Sequence, residues 1–252
     1  MPFALVTTVG GIDNTESAAA AGDQYRTRDV LLTEALATCL AAFAGGVVQN
    51  TPYIGHPAYK AMGARAGYTL ATGIVIGGGA AVGALSVLVG ILPEAAVAPI
   101  LIFIGLEIAA QAFLASPREH GPAVALTFVP VAAAVVSLES GTFLGAVGRS
   151  AADLSGDAAL AFAALTMLAN GFILSAVLWG SGLTAIIDRR FAAAAAVLAI
   201  ASVASLCGLV HSPLPGGALF WPWNLPSAAP AHVAGAYGVA AVLCWLLGFP
   251  RR

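Results

Sequence analysis

The chain has 252 residues, of which 60% are hydrophobic and only 9% are charged, and its mean hydropathy is +0.92. No soluble domain of this size has such a composition, so we expect an all-α, polytopic integral membrane protein. The formal net charge is −2 and the ten basic residues are scattered, which excludes nucleic acid as a partner.

The N-terminal run, residues 1–10, is apolar but too short to cross a membrane, and it lacks the basic flank of a signal peptide. It is typical of a helix whose beginning is missing. Gly10 and Gly11 are predicted to interrupt it. Beyond them, Asp13 and Glu16 are spaced to share one helical face with Ser17. That face can bind a ligand or a proton, and it can equally be a capped helix end at the interface.

Long apolar segments occupy most of the remaining chain, separated by short polar stretches. Each is long enough to approach the roughly 30 Å hydrocarbon core of a bilayer. Cys39, Cys207 and Cys244 lie inside such segments and form no metal or disulfide pattern. The predicted segments are 30–48, 68–92, 95–116, 121–138, 158–187, 191–211 and 231–249.

A polar segment broken by two prolines, 49–66, separates the first two of these apolar runs. In hydrocarbon, such backbone is tolerated only where it is buried in protein or lines a wet cavity. Transporters build substrate sites from broken segments of this kind. The side chains that we expect to bind substrate here are Asn50, Thr51, Tyr53 and His56. The alternative for His56 is a packed, hydrogen-bonded core histidine.

The basic residues test whether this segment crosses the membrane, because cytoplasmic loops carry the excess of Lys and Arg. If it crosses, Arg149 lies on one side and the other basic residues lie on the opposite side. If it re-enters, Arg26 and Arg28 are separated from nearly all the others. The uneven distribution of the basic residues favours a segment that crosses the membrane, partly as extended chain and partly as a short helix. The C-terminus is then cytoplasmic, and Trp221 and Trp223 lie at the outer interface.

Two further acidic residues fall inside apolar segments, where a charge is costly and usually faces the bundle interior. Glu107 lies deep within 95–116 and is expected to pair with a polar group, either structurally or in coupling or gating. Glu34 lies one turn into its segment, so it can also reach the headgroups.

Three stretches resemble the C-terminal half of the nucleobase-ascorbate permeases, the xanthine/uracil symporters. They are residues 11–14, 32–45, and 49–54 with 63–67, and the likeness covers roughly residues 3–188. The resemblance implies the second of two inverted seven-segment repeats, with a short extended strand in the broken segment. By motif position, Asp13 and Tyr53 would be substrate ligands. Where the family carries a glutamate that binds the base, this chain has Gly55 and His56.

The resemblance further implies half of a core domain over 1–92, half of a gate domain over 93–188, and an additional hairpin over 189–252. The expected function is ion-coupled alternating-access uptake of a nucleobase-like molecule across the bacterial inner membrane. A proton or sodium ion would drive it, without another cofactor. An N-terminal permease half or a second copy would complete the site.

Two alternatives to transport are an inactive or structural membrane fragment and an intramembrane enzyme. An enzyme would use His56, Asp13 and Glu107 as acid–base groups. However, no HExxH or GxSxG motif specifies a reaction. We therefore expect a permease and no enzyme.

Overall fold

The computed structural model describes residues 2–49 and 54–248, and within these ranges the regular structure is entirely helical. The all-α prediction is confirmed there. The predicted extended strand falls largely on residues 50–53, outside the described ranges. The α-helices are α1 (Pro2–Ala20), α2 (Thr27–Phe43), α3 (His56–Ala61), α4 (Ala66–Ala81), α5 (Ala84–Ile91), α6 (Glu94–Leu114), α7 (Gly121–Ala146), α8 (Gly156–Ala169), α9 (Phe172–Ile187), α10 (Phe191–Leu206) and α11 (Ala229–Leu247).

Three stretches of helix in the described chain are long and apolar enough to cross a membrane, as expected of a membrane protein. They are Ala95–Leu114, Arg118–Ala146, which adds a 3-10 turn to α7, and Ala229–Leu247. The pair α8 and α9 makes a fourth if it is counted as one span, although it is bent by 75°.

Two of the predicted apolar segments, 68–92 and 158–187, each contain two helices rather than one, and a glycine lies at each break. Gly83 has φ +72° and separates α4 from α5 inside the predicted segment 68–92. Gly171 has φ +76° and separates α8 from α9 inside 158–187, while Gly45, with φ +77°, follows the end of α2. Glycine adopts this left-handed conformation without steric cost, so it ends a helix that composition alone would continue.

The predicted interruption of the N-terminal run is also wrong, because α1 continues through Gly10 and Gly11. Close packing accounts for Gly11. A Cβ added there would lie 2.5 Å from Oε2 of Glu34 on α2. The absence of a side chain thus lets the Glu34 carboxyl group approach the α1 backbone.

The chain divides into two compact units, Thr7–Ala115 and Ser116–Arg252 with Met1–Val6. The first contains most of α1 and extends to the end of α6. The polar residues of the candidate functional site lie in this first unit. The predicted core and gate domains divide near residue 92, and that functional division stays a prediction.

The second unit is a bundle in which α7 packs on α8 and α9, and α10 packs on α9 and α11. Small residues let the helices approach closely, as is usual in membrane bundles. A core cluster joins Ala185 of α9, Ala194 and Ala195 of α10, and Cys244 of α11. The Ser202 hydroxyl of α10 also donates to the Ala234 carbonyl of α11 at 2.7 Å.

The bend between α8 and α9 is closed by the loop that follows α10. The Asn170 side-chain amide donates to the carbonyls of Ser212 and Leu214 at 2.7 and 3.0 Å. The main-chain carbonyl of Asn170 accepts from the His211 amide at 3.0 Å. A Cβ added to Gly171 would lie 2.3 Å from the Leu209 carbonyl oxygen. The main-chain carbonyl of Asn170, which lies at the break, is thereby hydrogen-bonded within the protein, as a non-aqueous environment requires.

Candidate functional site

The broken segment shapes one side of the site in the first unit. After α2, the chain loses helical structure from Ala44 to Gln49, and Gln49 N donates to the Thr38 hydroxyl of α2 at 3.0 Å. The chain is described again from Ile54. α3 then begins at His56 and has Pro57 in its first turn, where a missing amide proton costs no helical hydrogen bond. A short helix in this segment agrees with the sequence prediction.

His56 is the centre of a polar cluster that joins three separate parts of the unit. Its Nε2 lies 2.7 Å from Oδ2 of Asp23, in the loop after α1, and its Nδ1 lies 2.9 Å from the Tyr68 hydroxyl of α4. Lys60, one turn further along α3, donates to Oδ1 of Asp23 and to the Ala21 carbonyl, both at 2.8 Å. Both Asp23 oxygens are therefore engaged by α3.

The charges in this cluster favour an ionised Asp23. The hydrogen bond from Lys60, followed by that from His56, holds the pKa of Asp23 below its ordinary value of 3.8. A carboxylate only accepts hydrogen bonds, so Nε2 of His56 carries the proton. Nδ1 then accepts from the Tyr68 hydroxyl when His56 is neutral and donates to it when His56 is charged. The phenol responds in this way to the protonation of His56.

Aromatic rings of the same cluster line a cavity of about 1220 Å³. The Tyr68 ring stacks with the Tyr59 ring at a centroid distance of 5.8 Å and with the His56 ring at 6.3 Å, with interplanar angles of 27° in both pairs. The remaining wall is rich in hydrogen-bonding side chains from the loop after α1 and from α2 and α4. They include Gln24, Arg26, Asp29, Thr33, Thr69 and Thr72.

A smaller cavity of about 370 Å³ borders α3 and is mostly apolar. Its polar lining comes from Lys60 and from Glu107 and Gln111 of α6. The Ser17 hydroxyl of α1 lies 3.2 Å from the Ile54 carbonyl and 3.4 Å from Oε1 of Gln111. Ser17 thus connects α1 to the re-emerging chain and to α6.

The structure separates several residues that the sequence grouped together. Asp13 and Glu16 are exposed on α1 and line neither cavity, whereas Ser17 points inward. Glu34 is buried against Gly11, rather than at an aqueous surface. Of the four residues proposed in the broken segment, His56 lies in the polar cluster. The other three, Asn50, Thr51 and Tyr53, lie outside the described residues.

Glu107 is exposed on α6, and within the described residues its carboxylate makes no hydrogen bond or ion pair. The predicted polar partner is therefore not found among them. In the same ranges, no group of three or more His, Cys, Asp or Glu side chains is placed to hold a metal ion.

Sequence reasoning missed the rest of the polar cluster, namely Asp23 and Tyr68, which contact His56, and Lys60, which binds Asp23. A signal for Lys60 was available, because it follows His56 by four residues and so shares its helical face. Asp23 and Tyr68 gave no such signal, since a loop carboxylate and an aromatic residue at a helix start are ordinary. Only tertiary packing brings them to the histidine.

Comparison of the chain with protein-family models, with curated proteins and with solved structures finds no match.

Proposed function

We propose that this chain takes part in membrane transport of a planar, nitrogen-containing small molecule of the nucleobase type. The observation that supports this most is the cavity lined by His56, Tyr59 and Tyr68, which lies beside the broken segment of a strongly apolar helical chain. A binding cavity with this wall in a membrane protein suits a solute, because a purely structural bundle gains nothing from it.

The chemistry of the cavity wall suits a flat heterocycle. Aromatic faces such as Tyr59 and Tyr68 favour stacking on another π-system. A nucleobase edge alternates donors and acceptors, and Gln24, Arg26 and Asp29 offer the complementary groups. In this proposal His56 contacts the solute at the α3 end. Tyr53 and Asn50 would add contacts from the broken segment. Asp13 and Glu16 would form a second face of the substrate site.

Transport of this kind needs a driving ion, and we propose a proton or sodium ion. His56 is suited to relay a proton because each imidazole nitrogen can donate or accept a hydrogen bond, and its two nitrogens contact Asp23 and Tyr68 on different elements. Alternating access would further require an inverted first repeat. In the proposal this repeat is carried by another chain or by a second copy of this one, and Glu107 and Glu34 serve coupling or gating.

The test is uptake of radiolabelled xanthine, uracil, adenine and guanine by cells that express the chain. Expression is repeated together with any membrane protein that a neighbouring gene encodes. His56→Gln and Tyr68→Phe should each reduce uptake by about tenfold or more, because each removes a hydrogen bond at the cavity wall. Arg149→Gln, in the loop after α7, is the matched control and should transport normally.

Surface expression must be equal for all variants. If wild-type protein is inserted but takes up none of these bases in either setting, the proposal is wrong, and an inactive or structural membrane protein becomes the better reading. If uptake occurs but His56→Gln and Tyr68→Phe both leave it unchanged, transport stands and the cavity assignment fails.

A further inference from the structure

A cleft at one end of the second unit is independent of the candidate site. It has a volume of about 530 Å³ and lies where the turn between α9 and α10 meets the end of α11. Arg189, Arg190 and the first turn of α10 form one wall, and Leu247 and Gly248 form the other. The walls touch at the base, since a Cβ added to Gly248 would lie 3.4 Å from Cβ of Phe191.

Two fixed positive charges border this cleft without a neutralising carboxylate. Arg189 and Arg190 are exposed, and arginine stays charged at any physiological pH. The adjacent acid, Asp188, is engaged elsewhere, because its Oδ1 lies 2.7 Å from Nε2 of His120. In the part of the chain that the structure describes, neither guanidinium forms an ion pair. The cleft is thus suited to an anion from outside the protein.

The length of α11, a candidate membrane span, puts the cleft at the level expected for lipid headgroups. α11 has 19 residues. At about 1.5 Å per residue its length nearly matches the roughly 30 Å hydrocarbon core, so Leu247 and Gly248 stand at the core's edge. The adjoining surface of α11 is apolar and exposed. Leu243, Leu246 and Leu247 are 56%, 54% and 59% exposed, respectively.

We propose that this cleft binds an anionic phospholipid, with its phosphate between Arg189 and Arg190 and its acyl chains along α11. Guanidinium groups bind phosphate oxygens in pairs, and basic pockets between membrane helices are suited to anionic headgroups. The leucine surface favours a lipid over a free phosphate, because only the lipid covers both the charges and the adjoining apolar face. The site does not depend on the proposed transport function.

The experiment uses the full chain purified in a neutral maltoside detergent and titrated with dioleoyl phosphatidylglycerol, with bound lipid counted by native mass spectrometry. Wild-type protein should retain one such lipid in preference to dioleoyl phosphatidylcholine. Arg189→Gln/Arg190→Gln should weaken retention by about thirtyfold, and Arg190→Gln alone by about fivefold, since each basic residue near a headgroup contributes a similar increment. Arg190→Lys should bind the lipid more tightly than Arg190→Gln but more weakly than wild type, because the charge is preserved and the paired guanidinium contact is lost.

Arg149→Gln removes the same charge far along the sequence and should bind like wild type. Equal retention of phosphatidylcholine, or unchanged binding by the double variant, would overturn the proposal. If Arg149→Gln lost as much lipid binding as Arg190→Gln, the binding would depend only on the net charge of the protein. That result would also overturn the proposal. Competition by inorganic phosphate at the same concentration as the lipid would assign the cleft to a free anion. Helical circular dichroism and a single gel-filtration peak confirm that each variant is folded.

Discussion

At the scale of single residues, the structure gives His56 two hydrogen-bond partners, Asp23 and Tyr68, that its surrounding sequence does not indicate. The prolines and polar residues of 49–57 were enough to predict an irregular segment, and a site role for His56 stays a prediction. They could not indicate that Asp23, more than thirty positions earlier, would bind its imidazole. Contacts between elements depend on how helices pack, and a periodic apolar pattern leaves that open.

Acid should weaken the contact between α3 and the loop after α1, because the pKa of Asp23 is lowered in the folded protein. A lowered carboxyl pKa stabilises the fold above the unfolded value of about 3.8, and this contribution is lost as pH falls through the folded pKa. Thermal unfolding in detergent from pH 6 to pH 3 should therefore show a steeper acid loss in wild type than in Asp23→Asn. Parallel pH profiles for the two proteins would contradict the prediction.

A second hydrogen-bonded cluster, in the other unit, connects the loop after α10 to the helices around it. The Trp179 indole donates to the Tyr237 hydroxyl, which lies 2.8 Å from Nε2 of His211, and Nδ1 of His211 lies 3.3 Å from the Met167 carbonyl. A carbonyl only accepts, so Nδ1 carries the proton and Nε2 accepts from Tyr237. The Tyr237 hydroxyl therefore satisfies two buried or half-buried groups at once.

Removing that hydroxyl should destabilise the second unit. Tyr237→Phe leaves the Trp179 indole N–H and Nε2 of His211 without the hydroxyl that they contact, so we expect the free energy of unfolding to fall by about 1–2 kcal/mol. Urea or SDS titration monitored by circular dichroism measures the change. Tyr25→Phe is the matched control, because Tyr25 is 51% exposed, and it should unfold like wild type. Equal stability of the three proteins would show that the cluster contributes nothing.

At the scale of helices, composition predicted where apolar chain lies but not where helices end. Segments 68–92 and 158–187 are mostly apolar and contain no charged residue, so their mean hydropathy does not distinguish one helix from two. The breaks depend on the conformation of single glycines, and this chain has 29 of them. Most glycines in membrane helices serve packing, so the few in a left-handed conformation are not identifiable from sequence.

Gly171 should tolerate substitution least among these glycines. Alanine there would have an unfavourable φ and a methyl group 2.3 Å from the Leu209 carbonyl oxygen. We expect Gly171→Ala to lower the free energy of unfolding by about 2–3 kcal/mol or to prevent folding. In the control Gly141→Ala, on α7 with open space around the new methyl, stability should be unchanged or slightly higher. The same denaturant titration compares them, and equal effects would contradict the assignment.

At the scale of the whole molecule, much apolar helix surface faces outward, and one carboxylate lies within it. Only 6% of the α6 span is buried, and Glu107 is exposed on that helix. A charge at membrane depth is costly unless it meets a polar partner or water. The proposed transporter supplies one through its completing repeat.

Glu107 should therefore oppose insertion of α6 while supporting transport. Glu107→Leu should improve insertion of the isolated α6 segment by about 3 kcal/mol in a glycosylation-mapping assay, because leucine is favoured and acidic residues disfavoured at a span centre. In the uptake assay the same variant should lose activity, and Glu107→Gln should show which part of the loss follows from charge. Improved insertion with full uptake would make Glu107 a lipid-facing residue without a role.

The hydrogen bonds of the bend between α8 and α9 can form only after a later part of the chain has been synthesised. Asn170 binds carbonyls that lie 42 and 44 positions further along the chain. Before the loop after α10 has left the ribosome, the Asn170 side chain and main-chain carbonyl lack the groups that they contact in the folded chain. Until the loop after α10 emerges, the translocon or its surrounding water must accommodate those backbone groups, because lipid offers no hydrogen bonds. A chain that ends before residue 211 would lack all of these partners, so we expect its bend to remain without these hydrogen bonds in the membrane.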